Sequence, residues 1–374
     1  MSKFRVIALG CILLIAVALV ARLYMIWPNL QPQIAAQTRQ VTGQPASPPT
    51  PTPTPRPRLR PDLATGMILP QWGPKAYSAS DKNWTQGLQE VQSQTAARWI
   101  GLYIQFHQDS EFTPNVHRGA DAPTPEGLKA GVELAHKLGY HVYVFPAITL
   151  DGPHSWAGYI RYADNAENQN WFDNYWQQLK PYVQACAEAN CDRFSIGNEY
   201  EGLERSPATY WHQLLQRVHS IYSGQIVYNM NFSSQQKYPV PDWMSDPLLS
   251  EVGVSAYYSL TDTERSLPQA QLPALWKSHV QAPLDTLSKD LGKPVFIAEI
   301  GYRDSNFAGY NPYQAEDNGT RDDQMQAALY NAAMQNIADD KKIDGVFIWA
   351  WSMQPFTPKN KAAAKTLFEW YDKL

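Results

Sequence analysis

The sequence lacks several signatures by which enzyme classes are recognised. It contains no Gly-x-Ser-x-Gly elbow, which argues against a serine hydrolase, and no His-Glu-x-x-His pair that would bind a catalytic zinc ion. A Walker phosphate-binding loop and a Gly-x-Gly-x-x-Gly turn after the first predicted strand are also missing. We therefore expect neither a metal ion nor an organic cofactor.

Cysteine is scarce, with three residues in 374. Cys11 lies in an apolar run, and Cys186 and Cys191 are too few and too isolated for a four-ligand zinc site. These two cysteines would form a local disulfide in an exported chain, or remain unpaired thiols at the end of a helix. The sequence leaves both alternatives open.

Acidic residues are absent from the first 61 positions, which hold seven of the 31 Lys and Arg residues. The remainder of the chain therefore carries 24 basic against 35 acidic residues. Because binding to nucleic acid depends on Lys and Arg neutralising phosphates, this charge balance excludes a nucleic-acid partner.

Residues 6–21 form a run of sixteen apolar residues, preceded by Lys3 and Arg5. If Arg22 extends its charge to the interface, residues 4–27 are long enough to span a hydrocarbon core of about 30 Å. We predict a membrane anchor over residues 1–27, with the rest of the chain outside the cytoplasm. The alternative is a signal peptide, cleaved after small residues near 16–18, and a secreted product.

Residues 28–61 contain ten of the 29 prolines. Such a segment cannot pack a core and favours extended polyproline II structure. We predict a disordered, Pro-rich linker that separates the membrane from a domain at residues 62–374.

Short apolar runs alternate with amphipathic helical patterns throughout this domain. The alternation predicts a single parallel (β/α)8 barrel, which we expect to be monomeric, with a doubly wound sheet as the alternative. The predicted strands are 66–72, 99–106, 141–148, 193–198, 225–229, 252–257, 295–299 and 345–351, and the clearest helices are 125–138, 171–189, 208–221, 272–291 and 322–339.

Two glutamates follow apolar strands of the predicted barrel, Glu199 after the fourth strand and Glu299 at the end of the seventh. A buried carboxylate without a partner is costly, and catalytic groups of such barrels lie at the carboxyl ends of the strands. Two carboxyl groups across a cleft are what glycoside hydrolysis requires, one as an acid and one as a nucleophile or base.

Aromatic and polar residues follow the other strands, as expected for a site that binds sugars. Trp349 and Trp351 are two positions apart on the eighth strand, so we expect them on one face. Trp349 should form the floor of the cleft. The other candidates at strand ends are Tyr103, Gln105, His107, Asp109, Trp156, Tyr257 and Tyr258.

The stretches Ile-Gly-Asn-Glu at 196–199 and Ala-Glu-Ile-Gly-Tyr-Arg at 298–303 resemble clan A of the glycoside hydrolases. More narrowly, the sequence is similar to glycoside hydrolase family 113, the barrel-only β-1,4-mannanases, over residues 65–355. This resemblance implies a retaining β-glycosidase with Glu199 as general acid/base and Glu299 as nucleophile.

The resemblance also implies roles for residues around the two glutamates. Asn198 would hold the sugar hydroxyl beside the reacting carbon, Tyr257 would orient Glu299, and Trp349 would stack on the sugar. Asp151 and Trp156 would face the glycone side. The remaining predicted substrate-binding residues are His107, Tyr302 and Trp351.

One departure from the family pattern concerns specificity. Members of the family usually carry a Lys-Pro-His run at the end of the third strand, where this chain has Phe145-Pro146-Ala147. The change removes two donors for sugar hydroxyls without touching the carboxylates. We therefore expect β-mannan as the substrate first, and β-glucan or another β-hexoside second. The polar segment at 304–318 could reshape the cleft.

Two other classes of function compete with a glycosidase. The first is a carbohydrate-binding barrel without catalytic activity, although binding alone needs no acid paired with a nucleophile. The second is a structural protein of the cell envelope, in which the Pro-rich linker is the functional element.

Overall fold

The computed structural model describes residues 58–374, and these form a closed barrel of eight parallel strands. The strands pair in chain order, and β1 closes the barrel by pairing with β8. The predicted (β/α)8 barrel is confirmed. The strands are β1 Ala64–Ile68, β2 Trp99–Gln108, β3 His141–Leu150, β4 Arg193–Asn198, β5 Gln225–Asn231, β6 Glu251–Ser255, β7 Val295–Ile300 and β8 Ile343–Ile348.

Three strands end earlier than the sequence pattern predicts, namely β1, β6, which ends at Ser255 rather than at 257, and β8. β1 stops at Ile68, shortly before Pro70, which has no N–H to donate to a ladder. β8 stops at Ile348, and beyond it Trp349 and Trp351 donate single backbone hydrogen bonds to different neighbours. The alternation of side chains along β8 therefore does not extend to residue 351.

Helices cover the outside of the barrel. The predicted start at Thr124 is confirmed, because its hydroxyl accepts from the Gly127 N–H at 3.0 Å and a proline follows it. The helices are α1 Lys82–Thr95, α2 Pro125–Lys137, α3 Asn165–Ala189, α4 Ala208–His219, α5 Phe232–Lys237, α6 Leu272–Trp276, α7 Ala282–Leu291, α8 Asp323–Asp339 and α9 Ala362–Lys373; a π-helical turn, Lys277–Gln281, joins α6 to α7.

α3 begins six residues before the predicted start at 171. Asp164 caps it, since its carboxylate accepts hydrogen bonds from the backbone N–H groups of Ala166 and Glu167. At its other end, Cys186 forms a disulfide with Cys191, whose Cα atom lies 5.2 Å away. The disulfide alternative of the sequence analysis is the one present in the structure.

Side chains fill the interior of the barrel. Phe145, Phe296 and Phe347 belong to an apolar cluster inside the strands, and a much larger apolar layer lies between strands and helices. Near the amino ends of the strands, Arg193 pairs with Glu251 at 2.8 Å, and its guanidinium lies 4.4 Å from the ring centroid of Phe296. The barrel is therefore closed at this end, and its open face is at the carboxyl ends of the strands.

The predicted membrane segment and residues 28–57 of the predicted linker lie outside the described residues. Within residues 58–374, no helix is long and apolar enough to cross a membrane. Arg60 is buried, and its guanidinium donates to the carbonyls of Ile337, Asp340 and Ile343. The chain is therefore already attached to the barrel at residue 60.

Candidate active site

Glu299 is a buried carboxyl group near the carboxyl end of β7. It belongs to β7, and both its oxygen atoms accept a hydrogen bond. Asn198 Nδ2 donates to Oε1 at 3.3 Å, and the Tyr257 hydroxyl donates to Oε2 at 3.2 Å. Donors on both oxygens fix the orientation of the carboxylate and stabilise its charge.

The amide of Asn198 is itself oriented by Asn229 on β5. Asn229 Nδ2 donates to Asn198 Oδ1 at 2.9 Å, so the Nδ2 group of Asn198 is directed at Glu299. Asn229 is fully buried and was not among the predicted site residues. The sequence feature that could have identified Asn229 is a polar amide near the end of a buried strand, where apolar residues are usual.

Glu199 directly follows β4 and has a left-handed backbone, with φ of 60°. This conformation costs a residue other than glycine about 1–3 kcal/mol and persists where surrounding contacts enforce it. Here the Glu199 N–H donates to the carbonyl of Asn229 at 2.9 Å. The side chain then accepts a hydrogen bond from Trp156 Nε1 at 2.8 Å.

Glu199 and Glu299 line the same cleft, which has a volume of about 650 Å³. Trp156 and Tyr159 come from the segment after β3, and Trp349 follows β8. The predicted convergence of the two glutamates is therefore present in the structure. The other residues that line the cleft are Ser155, Asn231, Phe232, Ser233, Tyr257, Tyr313 and Phe356.

The pKa of each glutamate is raised. Burial raises the pKa of Glu299, and the charge of Glu199 raises it further, against the hydrogen bonds from Tyr257 and Asn198. Burial likewise raises the pKa of Glu199, against the hydrogen bond from Trp156. Because two like charges in one cleft disfavour each other, the pair retains one proton to higher pH than an ordinary glutamate.

Trp156, Tyr257 and Trp349 are three predicted residues that the structure brings into the cleft. The indole of Trp156 lies over Gly158, where a Cβ atom would come within 2.3 Å of the ring. Gly301 acts similarly near Trp349, since a Cβ atom at Gly301 would be 2.6 Å from the Trp349 carbonyl oxygen. Close packing that only glycine permits therefore positions both tryptophans.

Trp351 and Tyr302 lie elsewhere. Trp351 is 1% exposed and donates from Nε1 to Glu90 of α1 at 3.3 Å, so the expectation that it shares a face with Trp349 is wrong. Tyr302 is also buried, and its hydroxyl accepts from Trp276 Nε1 of α6 at 3.1 Å. Both side chains contact the helix layer rather than the cleft.

His107 and Asp151 form a separate polar cluster at the ends of β2 and β3. Nδ1 of His107 is 2.8 Å from Asp151 Oδ1, and Nε2 is 2.9 Å from Asp121 Oδ1. Burial lowers the pKa of His107, but the hydrogen bonds to both carboxylates outweigh it, and the pKa is raised. Neither residue lines the cleft that holds the glutamates.

Among the described residues, one group has the composition and spacing of metal ligands. Asp109, His117 and Asp151 each have a ligand atom within 4.8 Å of the other two. The group lies at the surface, and both aspartates are exposed. It does not include either glutamate of the cleft.

The segment after β7 contributes to the cleft through Tyr313, in agreement with the expectation that it reshapes the site. Arg303 holds this segment in place. Its guanidinium is buried, pairs with Asp317 at 2.8 Å and donates to the carbonyls of Tyr310, Asn311 and Gln314. The sequence signalled Arg303 only as part of a motif, without this role.

A (β/α)8 barrel with two glutamates in a cleft at its carboxyl end defines a glycoside hydrolase. The model of Glycoside Hydrolase Family 113 matches residues 71–373, and the chain belongs to this family. It is a glycosidase, and the predicted family resemblance is confirmed.

Solved structures that are similar to the chain have the same fold. A GH113 β-1,4-mannanase matches with a TM-score of 0.71 and 19% identity, over 83% of this chain and 99% of that one. The GH113 β-mannanase AaManA from Alicyclobacillus acidocaldarius, in complex with ManMIm, matches with a TM-score of 0.65 and 20% identity, over 83% and 97%. A family 5 mannosidase from Rhizomucor miehei matches with a TM-score of 0.55 and 12% identity, over 84% and 94%. A comparison with curated protein sequences gave no match.

Proposed function

We propose that the protein is a retaining β-glycosidase that cleaves β-1,4-linked mannan through a glycosyl-enzyme intermediate. The observation that carries this proposal is the different setting of two carboxyl groups in one cleft. Glu299 accepts a hydrogen bond on each oxygen, from Asn198 and Tyr257. Glu199 accepts one from Trp156 at the cleft wall.

In the first step, Glu199 donates its proton to the glycosidic oxygen while Glu299 attacks the anomeric carbon. The C–O bond to the leaving group breaks, and Glu299 forms an ester with the sugar. In the second step, Glu199 accepts a proton from water, which attacks the anomeric carbon and releases Glu299. The pair retains one proton to higher pH than an ordinary glutamate, because burial and the neighbouring charge raise its pKa. The hydrogen bonds on both oxygens of Glu299 favour its ionised form and so favour the proton on Glu199.

One argument favours mannan as the substrate, since the similar GH113 structures are described as β-1,4-mannanases. Trp349 offers an aromatic surface beside Glu299 for a sugar face, which suits mannose and other hexoses alike. β-Glucan or another β-hexoside is the second candidate, because Phe145-Pro146-Ala147 replaces donors that the family usually has there. Asn198 would bind the hydroxyl beside the reacting carbon.

We further propose that the enzyme acts outside the cytoplasm, attached to the membrane through residues 4–27. The disulfide between Cys186 and Cys191 supports this, because such bonds persist in oxidising compartments. Removal of residues 1–57 should release the enzyme from membranes without loss of turnover. Loss of sugar cleavage in that truncated form would instead favour a structural function of the linker.

The proposal is tested by hydrolysis of β-mannan, β-glucan and aryl β-mannosides and β-glucosides. Turnover should fall by at least about 10³-fold in Glu299→Ala, and azide should restore part of it as a glycosyl azide, since the cavity admits a small anion. Glu133→Ala, at an exposed site on α2, is the matched control and should keep full activity. Sugar binding by the unmodified protein without hydrolysis of any substrate would indicate a carbohydrate-binding barrel.

A further inference from the structure

A second cavity of about 450 Å³ adjoins the catalytic cleft. Trp156 and Tyr159 line both cavities. We call the second cavity the basic groove, defined by Tyr159, Arg161, Glu201, Arg205, Lys237 and Tyr238. A glycan chain that extends past Trp156 would reach it.

The basic groove lies on the side of Glu199. One wall is the segment that directly follows Glu199, including Glu201 and Arg205, and Trp156 at its entrance donates to the Glu199 carboxyl. A general acid contacts the oxygen of the leaving group. If Glu199 is the acid of the proposed function, the groove therefore holds the part of the glycan that leaves, and Trp156 lies on that side rather than on the glycone side expected from the family resemblance.

The charge of the groove is opposite to that of the domain. Residues 62–374 carry 11 more acidic than basic side chains, yet the groove contains Arg161, Arg205 and Lys237 against Glu201. Lys237 is paired with Glu201 at 3.0 Å. Among the described residues, neither arginine forms an ion pair with a carboxylate. The excess positive charge therefore lies on the two arginines.

Arg205 is held in a fixed position. Its guanidinium lies 4.7 Å from the ring centroid of Tyr238, and Nη1 donates to the carbonyl of Pro239 at 2.7 Å. The planar group retains further N–H donors, and a guanidinium matches a carboxylate with two parallel hydrogen bonds. Tyr159 and Tyr238 are 44% and 47% exposed, so each offers a ring face to a sugar.

We propose that the basic groove binds an acidic sugar unit, a uronic acid, on the leaving-group side of the cleaved bond. Arg205 and Arg161 contact its carboxylate, and the tyrosine rings contact the sugar. The substrate is then not pure β-mannan, which contains only neutral units, but a β-linked polysaccharide in which acidic units accompany the neutral hexose bound at the glutamates. This inference rests on the proposed function for its direction along the chain, while the preference for an anion depends on the groove alone.

The test measures binding to the full chain carrying Glu299→Gln, which removes turnover. Isothermal titration calorimetry measures the affinity for two β-linked oligosaccharides. They differ in a single unit toward the reducing end, which is a neutral hexose in one ligand and a uronic acid in the other. We expect the uronate ligand to bind about tenfold more tightly, the effect of one added hydrogen bond to a charged group. Higher salt should reduce this preference.

In the same background, Arg205→Gln and Arg161→Gln should each reduce the preference severalfold, and Arg205→Lys should retain part of it. Lys289→Gln removes one exposed charge on α7 and should change nothing. Equal affinity for the two ligands, or a preference unaffected by both arginine variants, would overturn the inference. If the same oligosaccharide with a phosphate in place of the carboxylate binds more tightly than the uronate ligand, the assignment to a carboxylate is overturned.

Hydrolysis by the unmodified protein separates this inference from the proposed function. If neutral and acidic substrates are cleaved with equal kcat/KM, the proposed uronic-acid site is rejected and the proposed glycosidase function stands. A clear binding preference without hydrolysis of any substrate rejects the proposed chemistry and leaves the anion site intact.

Discussion

The indole of Trp156 donates a hydrogen bond to the carboxyl of Glu199 over 2.8 Å, although the two residues follow different strands. The donor stabilises the ionised form of Glu199 and so opposes the effect of burial on its pKa. A residue predicted to bind substrate thus also contacts the proposed proton donor.

Replacement of Trp156 by Phe keeps an aromatic surface and removes the N–H donor. The pKa of Glu199 should rise, so the acid stays protonated to higher pH and the alkaline limb of the kcat/KM profile moves upward. Trp370→Phe, which removes an indole hydrogen bond to Asn331 on the far side of the helix layer, serves as the control. A profile that moves to lower pH would contradict the assigned contact.

Replacement of Tyr257 by Phe removes the hydroxyl that donates to Glu299 at 3.2 Å. A hydrogen bond to a charged group contributes about 1.5–3 kcal/mol, so kcat/KM should fall roughly tenfold to a hundredfold. The pKa of Glu299 should rise, and the acidic limb of the profile should move to higher pH. Tyr258→Phe is the neighbouring control. Unchanged kcat with only a higher KM would argue that Tyr257 binds sugar instead.

Replacement of Arg303 by Met should destabilise the domain and loosen the segment that carries Tyr313. Loss of one partner from a buried ion pair costs about 3–5 kcal/mol, and here three or more carbonyls also lose a donor. Chemical unfolding measures the loss, and proteolysis should begin within residues 305–321. Arg321→Met, in the same segment but 68% exposed, should cost less than about 1 kcal/mol. Equal costs for the two variants would refute this role of Arg303.

The raised pKa of buried Glu204 should make the stability of the domain depend on pH. Burial raises its pKa from 4.5 to about 7, against hydrogen bonds from Ser234 and Tyr228. Because the folded state binds this proton more tightly than the unfolded chain, its stabilisation is complete below about pH 4.5 and is lost as pH rises toward 7. Glu204→Gln should therefore gain stability relative to the unmodified protein at pH 8, by at most about 3 kcal/mol, and little at pH 5. If the difference in the free energy of unfolding between Glu204→Gln and the unmodified protein is the same at pH 5 and pH 8, the assignment is contradicted.

The sequence was sufficient to predict the barrel, because eight apolar runs alternated with helical patterns and strand order follows chain order in this fold. It also placed Glu199 and Glu299 together, since the carboxyl ends of all strands meet at one face. It could not separate Trp349 from Trp351. Their spacing predicts a shared face only inside a strand, and β8 ends at Ile348.

Residues that act through a neighbour were harder to find. Asn229 and Arg303 touch other protein groups, and their partners are 31 and 14 positions away in the chain. The basic groove was equally hidden, because its arginines are 44 positions apart in an acidic domain. Such contacts depend on the register of strands and on how loops fold over them, which composition and periodicity do not specify.

The left-handed backbone of Glu199 places the proposed activity of the protein in conflict with its thermal stability. Any side chain at this position pays the conformational penalty, and glycine alone avoids it. Exchange for glycine would also remove a carboxyl that burial disfavours. The resulting protein should unfold at a higher temperature and, under the proposed function, should lose turnover. Selection for stability alone would therefore remove the proposed acid/base.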